Sequence, residues 1–243
     1  MEEVADFFYD LPKDYGLAFD TVHYIVSLQG ERADLGDDFD SVTKLNPLAS
    51  WVSSMMVCFA GGILTAPLCG EPMLSALVDD PMRLLIATAL WYMMFYFPKD
   101  MIYKASKQAK IPLYAIKGLY YPKKILSGIK HAKHIFKQNP LAAVVIATVK
   151  GNGSGLIKPF ARLARGKWSP DVFESIKPSL TTKYCFLCAL IYVYFPWDST
   201  YVLIVGILIA MKVGPLFNVS MDPFTITEHK LAPFVFGDKG KQE

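Results

Sequence analysis

The sequence has little charge for its length. Asp, Glu, Lys and Arg make up 19% of its 243 residues, whereas hydrophobic residues make up 53%. Soluble globular domains carry about 25% charged and about 45–50% apolar residues. This composition excludes an ordinary soluble domain, and we expect most of the chain to face lipid or to pack inside a helical bundle.

The sequence features of several functional classes of protein are also missing. The formal net charge is only +3, and the basic residues are spread among apolar segments, so no nucleic-acid partner is expected. The chain has no metal-ligand spacing, nucleophile motif or phosphate-binding loop, so we expect no metal site and no enzyme. Asp20 and Asp100 are kept as the only acid–base candidates.

Cysteine is scarce as well. Its four occurrences lie in or beside apolar runs, which is not the pattern of a secreted disulfide framework. Cys185 and Cys188 have the spacing of a redox motif, but they lack the βαβ context that would support it. We expect a structural role, and a membrane redox protein that uses both thiols remains a third hypothesis for function.

What the sequence does have is a series of apolar segments. At about 20 residues per span, the length allows about seven transmembrane helices. They are predicted at residues 15–28, 49–68, 82–97, 111–130, 141–156, 184–197 and 201–216. The polar residues 29–46 are predicted to form a loop. The prediction is an all-α polytopic membrane bundle, with residues 1–220 as one membrane domain, including an acidic segment at about 1–14, and residues 221–243 as a short tail.

Glycines interrupt two of these spans at corresponding positions. Gly61 and Gly62 lie in the second span, and Gly151 and Gly153 lie in the fifth, directly after Lys150. Spans one to three and four to six therefore read as two inverted three-helix repeats, with the seventh helix outside them. Backbone carbonyl groups at such breaks can solvate a cation, but glycines can also serve only close helix packing; both interpretations stay open.

Charged residues inside spans need an explanation, because a lysine at the membrane centre costs about 2.5–3.5 kcal/mol. Asp20 and His23 of the first span must turn inward. In the fourth span Lys117 lies deepest, and with Lys123 and Lys124 it can bind an anionic lipid headgroup. The last two can instead extend to a membrane interface. A further lysine, Lys150, is a candidate for a positive charge beside a conduction path, where it would repel cations.

Loop charge predicts the orientation. The loops after spans three and five are both basic and lie on the same side, which the positive-inside rule predicts to be cytosolic. Seven spans then place the N-terminus in the lumen and the C-terminal tail in the cytosol.

A series of short motifs runs in order from about Phe19 to Asp222. These motifs are Phe19-Asp20, Pro47-Leu-Ala-Ser-Trp51, Gly70-Glu-Pro72, Trp91-Tyr92, Phe95-Tyr-Phe-Pro-Lys-Asp100, Gly128-Ile-Lys-His-Ala132, Ala147-Thr-Val-Lys-Gly151 and Gly166-Lys-Trp-Ser-Pro170. In this order the chain resembles the trimeric intracellular cation channel family.

The resemblance implies a homotrimer in the endoplasmic or sarcoplasmic reticulum and nuclear membranes. Each subunit would hold its own pore, which passes potassium to balance charge during calcium release. A secondary transporter with the same inverted repeats is the alternative.

The resemblance also implies bound phosphatidylinositol 4,5-bisphosphate and no other cofactor. Lys117 matches the lysine of the family motif, whereas Gly118 replaces its glutamate and Tyr121 stands where an arginine is expected. Lys123 or Lys124 would then replace that arginine.

Overall fold

The computed structural model describes residues 2–169, 173–174, 177–219 and 222–224. The predicted tail of residues 221–243 lies outside these ranges except for 222–224, and Pro170 of the last motif also lies outside them. Across the described ranges the chain consists of helices and turns, without a strand.

The α-helices of the described residues are numbered in chain order. They are α1 (Glu2–Asp14), α2 (Gly16–Leu35), α3 (Pro47–Cys58), α4 (Ala60–Leu68), α5 (Ser75–Val78), α6 (Pro81–Tyr96), α7 (Met101–Gln108), α8 (Lys110–Ile135), α9 (Pro140–Gly151), α10 (Gly153–Leu156), α11 (Lys158–Ala164), α12 (Leu180–Tyr194) and α13 (Asp198–Val213). The seven predicted spans correspond to α2, α3 with α4, α6, α8, α9 with α10, α12 and α13.

The prediction of a loop at residues 29–46 is wrong. Helix α2 continues to Leu35, and a 3₁₀ turn at Gly36–Asp38 and a π-helical turn at Ser41–Leu45 follow it. Charged residues in the last turns of α2 bind partners from distant segments. Arg32, for example, is buried and donates to the Asp100 carboxylate at 2.6 Å. Part of the polarity in this segment therefore reflects ion pairs with distant residues and not a solvated loop.

By length and apolar composition alone, few of the described helices would be recognised as spans. The segment Asp198–Phe217 is long and apolar enough to cross a bilayer, and the pair α3 and α4 would be a second span if taken together across its 70° bend. Helices α9 and α12 are apolar but shorter. Of the remaining predicted spans, α6 is short, and α2 and α8 carry charged residues along their length.

Two broken helices pack against each other at the centre of the bundle. The first break separates α3 from α4 at Phe59, and the second separates α9 from α10 at Asn152. Helix α4 packs on α9, and α10 and α11 pack on α3 in return, while α2 packs on α8. These reciprocal contacts between the two halves agree with the inverted three-helix repeats that the glycine pattern predicts.

Each repeat has its own apolar core. In the first, Leu28 of α2 and Ala87 of α6 are fully buried together with Met55 of α3. In the second, Ile125 of α8 packs against α9, α12 and α13. Helix α13 thus extends the second repeat, and it also supports α1, which lies across α13 and α8.

Candidate functional site

The two helix breaks meet at a pair of glycines. A Cβ atom on Gly153 would lie 2.6 Å from the Cα atom of Gly61 and 2.7 Å from the carbonyl carbon of Ala60. A Cβ atom on Gly61 would lie 2.8 Å from the carbonyl oxygen of Lys150. A well-packed interior does not tolerate such approaches, so both positions require glycine. Close helix packing therefore accounts for the glycine at both positions.

A cavity of about 420 Å³ lies beside this crossing, within one subunit. It is bounded mainly by α2, α4, α5, α8 and the start of α6, with one residue each from α3 and α9. Its wall includes several of the predicted site residues, namely Gly61, Gly62, Lys123, Lys124 and Lys150. The structure thus brings together residues that the sequence assigned to two separate sites, a lipid site and a helix kink.

Carboxylates lie at the exposed end of the cavity. Glu71, Asp79 and Asp80 are exposed and follow α4 and α5, whereas Asp20 on α2 is buried. Asp20 accepts a hydrogen bond from the Tyr120 hydroxyl and pairs with Arg83 at 3.1 Å. This confirms that Asp20 turns inward. The Asp20 carboxylate forms an ion pair with Arg83, and the Asp100 carboxylate forms one with Arg32. Neither carboxylate is therefore a free acid–base group.

A histidine and a lysine meet in the buried part of the cavity wall. The Nζ atom of Lys124 lies 2.9 Å from His23 Nε2, and the same ring nitrogen lies 3.1 Å from the Cys58 carbonyl oxygen. Lys124 also lies over the ring of Tyr120, 5.0 Å from its centroid. The sequence indicated that His23 faces inward but not that it meets Lys124, because their positions are 101 residues apart.

The residues predicted to hold a lipid headgroup do not share one surface. Lys117 is only 7% exposed, with its Nζ atom 3.5 Å from the Ser27 hydroxyl. Gly118 faces α13, where a Cβ atom would lie 2.9 Å from the Cα atom of Ile209. Tyr121 is buried beneath Lys212, whose Nζ atom lies 4.9 Å from the ring centroid.

The two remaining members of that set, Lys123 and Lys124, both line the large cavity. Lys123 also donates to the Pro12 carbonyl of α1 at 2.6 Å. Gly151, predicted as part of the kink, packs against α12, where a Cβ atom would lie 3.0 Å from Cys185 Sγ. Cys185 and Cys188 are free and fully buried in the core of the second repeat.

Sequence reasoning missed a buried ion-pair cluster at the opposite end of α2. The Asp34 carboxylate accepts from Arg162 at 2.6 and 2.9 Å and from Arg165 at 2.8 Å, and it pairs with Lys158 at 2.8 Å. The basic segment after the fifth span is therefore bound to α2. The signal available was the run of acidic residues in 31–40, which the loop prediction assigned to solvent.

Known proteins are similar to this chain in sequence and in architecture. The TRIC channel family model matches residues 37–217. The trimeric intracellular cation channel type 1B.2 of Caenorhabditis elegans is 34% identical over 208 residues, which cover 82% of this chain and 66% of that relative, so the relative extends well beyond the match. The type B-A channel of Xenopus laevis is 32% identical over 92% of this chain and 81% of its own length.

Solved structures agree. One is a structure described by the words "structural basis for activity of TRIC counter-ion channels in calcium release". It has a TM-score of 0.82 and 30% identity, and the match covers 90% of this chain and 100% of that chain. A trimeric intracellular cation channel from Caenorhabditis elegans without Ca²⁺ has a TM-score of 0.80 and 32% identity, covering 90% of this chain and 97% of its own. These matches confirm both the resemblance and the prediction of a polytopic helical membrane bundle. The chain belongs to the TRIC channel family, a family of cation channels and not of enzymes.

Proposed function

We propose that the chain is a potassium-permeable channel of intracellular membranes, with a pore in each subunit of a homotrimer, which supplies counter-ion current during calcium release. The observation that carries this proposal is the crossing of two broken helices beside a polar cavity inside one subunit. The relatives support it, because they are trimeric intracellular cation channels by name and one solved neighbour is a counter-ion channel in calcium release.

The distribution of charge along the cavity fits cation conduction. Exposed carboxylates at its wide end raise the local concentration of cations. Lys124, near the buried end, and Lys150, beside the glycine crossing, place positive charge on the same route, where each repels a passing cation. Permeation therefore requires that Lys124 move away from His23, and this pair is the gate of the proposed pore.

Planar bilayer recording of the purified protein in symmetrical potassium chloride tests the proposal. We expect unitary current steps, and a potassium–sodium gradient then gives the selectivity from the reversal potential. A secondary transporter would instead show saturable, ion-coupled uptake without unitary steps. The absence of steps in correctly assembled protein would overturn the channel proposal.

We also propose the location and orientation that the family resemblance implies. The subunits assemble as a homotrimer in the endoplasmic or sarcoplasmic reticulum and nuclear membranes, with the N-terminus in the lumen and the C-terminal tail in the cytosol. An epitope at the N-terminus would then be hidden from antibodies when only the plasma membrane is permeabilised, whereas one at the C-terminus would be accessible. The mass of the purified assembly, corrected for detergent, tests the trimer.

We also propose that phosphatidylinositol 4,5-bisphosphate binds at Lys117. Lys117 is buried and is repelled by the nearby ammonium groups of Lys212 and Lys124. Buried like charges are unfavourable without a counter-charge, which a lipid phosphate would supply. We expect Lys117→Ala to weaken binding of a short-chain phosphatidylinositol 4,5-bisphosphate, and unchanged binding in this variant would contradict the assignment.

A further inference from the structure

A second, smaller cavity lies under the N-terminal helix. It has a volume of about 200 Å³ and is enclosed by α1, α8 and α13. Helix α1 is held in place there by its contacts with α13, including a hydrogen bond of 3.3 Å from the Tyr201 hydroxyl to the Phe8 carbonyl. The cavity is therefore a feature of the packed helices.

Three lysines from two helices surround this cavity. Lys13 lies in the last turn of α1, and Lys123 and Lys130 lie two turns apart on one face of α8. Among the described residues that line the cavity there is no carboxylate. The wall thus carries three positive charges, and an anion is the ligand that such a wall attracts.

The ammonium groups are oriented but not saturated. Lys123 donates to the Pro12 carbonyl at 2.6 Å, and Lys130 donates to the Tyr9 hydroxyl. Each ammonium has three donors, so these contacts leave donors available to a ligand. Lys13 pairs with Asp10 at 3.7 Å, but both side chains are more than half exposed, and such a pair contributes little.

The remaining wall is mostly apolar, although Ser127 and the hydroxyl groups of two tyrosines also lie in it. Leu126 and Tyr201 are both buried beneath the lysines. A cavity with several ammonium groups on one side and an apolar floor suits a phosphate group attached to an apolar body better than it suits a small, strongly hydrated anion.

We infer that the cavity between α1, α8 and α13 is a phosphate-binding site, which takes a phospholipid headgroup or a soluble organic phosphate on Lys13, Lys123 and Lys130. This site is separate from the one proposed at Lys117, which contacts Ser27 of α2 and does not line the cavity. It also does not depend on the channel proposal, because nothing in it requires ion conduction.

The full-length protein in uncharged detergent provides the test. Three probes are titrated separately: dioctanoyl phosphatidic acid, glycerol 3-phosphate and the zwitterionic dioctanoyl phosphatidylcholine. The test variant combines Lys13→Gln with Lys130→Gln. The matched control is Lys133→Gln, which removes a lysine of α8 that does not line the cavity. Elution volume in gel filtration confirms that each variant is assembled.

We expect saturable binding of phosphatidic acid that becomes at least about tenfold weaker in the double variant, since charge-assisted hydrogen bonds are lost. Binding should stay within about twofold in Lys133→Gln, as for an ordinary surface change, and should persist in Lys117→Ala. Binding of glycerol 3-phosphate with the same dependence identifies a soluble phosphate as a sufficient ligand, and binding of the lipid alone identifies a headgroup site. Equal affinity in the double variant and the parent protein, or no saturable binding of either phosphate, would overturn the inference.

Discussion

The backbone of Gly61 lies directly against Gly153, so the broken middle helices of the two repeats cross without a side chain between them. This contact joins the repeats at the centre of the bundle. It also holds the carbonyl group of Lys150 against α4, beside the larger cavity. Both the packing of the bundle and the shape of the proposed pore therefore depend on two positions that carry no side chain.

Replacing Gly153 with alanine should disturb this crossing. A Cβ atom there meets backbone atoms of α4, which cannot turn aside as a side chain can, and overpacking of this kind costs about 1–3 kcal/mol. We expect a lower melting temperature in detergent and an altered unitary conductance. Gly206→Ala is the matched control, because a Cβ atom on that glycine of α13 has no neighbour within 4 Å. Equal effects of the two substitutions would show that the crossing is not tightly packed.

Neutralising Lys124 should increase potassium current. In Lys124→Gln the chain keeps a polar side chain beside His23 but loses a positive charge from the cavity wall. Removing this barrier should raise the unitary conductance or the open probability in bilayer recordings. Lys133→Gln, on the same helix but outside the cavity, should leave both unchanged. A lower current in Lys124→Gln than in the control would contradict the placement of Lys124 on the conduction path.

The exposed carboxylates of the large cavity should attract potassium ions over a long range. In the double variant Glu71→Gln and Asp79→Asn, two negative charges leave the wide end of the cavity. We expect a reduced potassium conductance at about 0.01 M salt, where the Debye length is about 30 Å, and little change at about 1 M, where it is about 3 Å. Asp37→Asn, an exposed change outside the cavity, serves as the control. A loss that is independent of salt would point to altered structure instead.

Removing the charge of Asp34 should destabilise the protein strongly. Asp34→Asn leaves Arg162, Arg165 and Lys158 around a neutral amide, and breaking a buried ion pair in this way costs about 3–5 kcal/mol. Asp38→Asn removes a pair with Lys167 in which both side chains are substantially exposed, so its cost should be below about 1 kcal/mol. Thermal unfolding in detergent compares the two variants. Similar melting temperatures would mean that the Asp34 cluster is not a stabilising link between α2 and α11.

Much of the bundle follows from local sequence. The apolar runs around Ile204 and Val144 indicate helices whatever their neighbours, because helix formation and membrane insertion depend on residues close together in the chain. The glycines at 61 and 153 predict breaks for the same reason. The seven predicted spans all correspond to helices, and the two repeats follow from the positions of the breaks.

In segments of mixed polarity, local sequence does not determine where a helix ends. The last turns of α2 have the composition of a loop, but their charged residues have distant partners: Arg32 binds Asp100, and Asp34 binds Arg162 of α11. These partners are 68 and 128 residues away. No local pattern records such a partner, so the boundary of α2 could not be predicted.

The sequence by itself determined that the chain is a helical membrane bundle of two repeats with glycine breaks, and its motif order determined the family. Only the tertiary structure decided what the lysines of α8 contact: Lys117 contacts α2, whereas Lys123 and Lys124 line the large cavity, with Lys123 also bound to α1. The reason is physical. Spacing along a helix determines which residues share a face, but the partner of each face is determined by how helices that are distant in the sequence pack together.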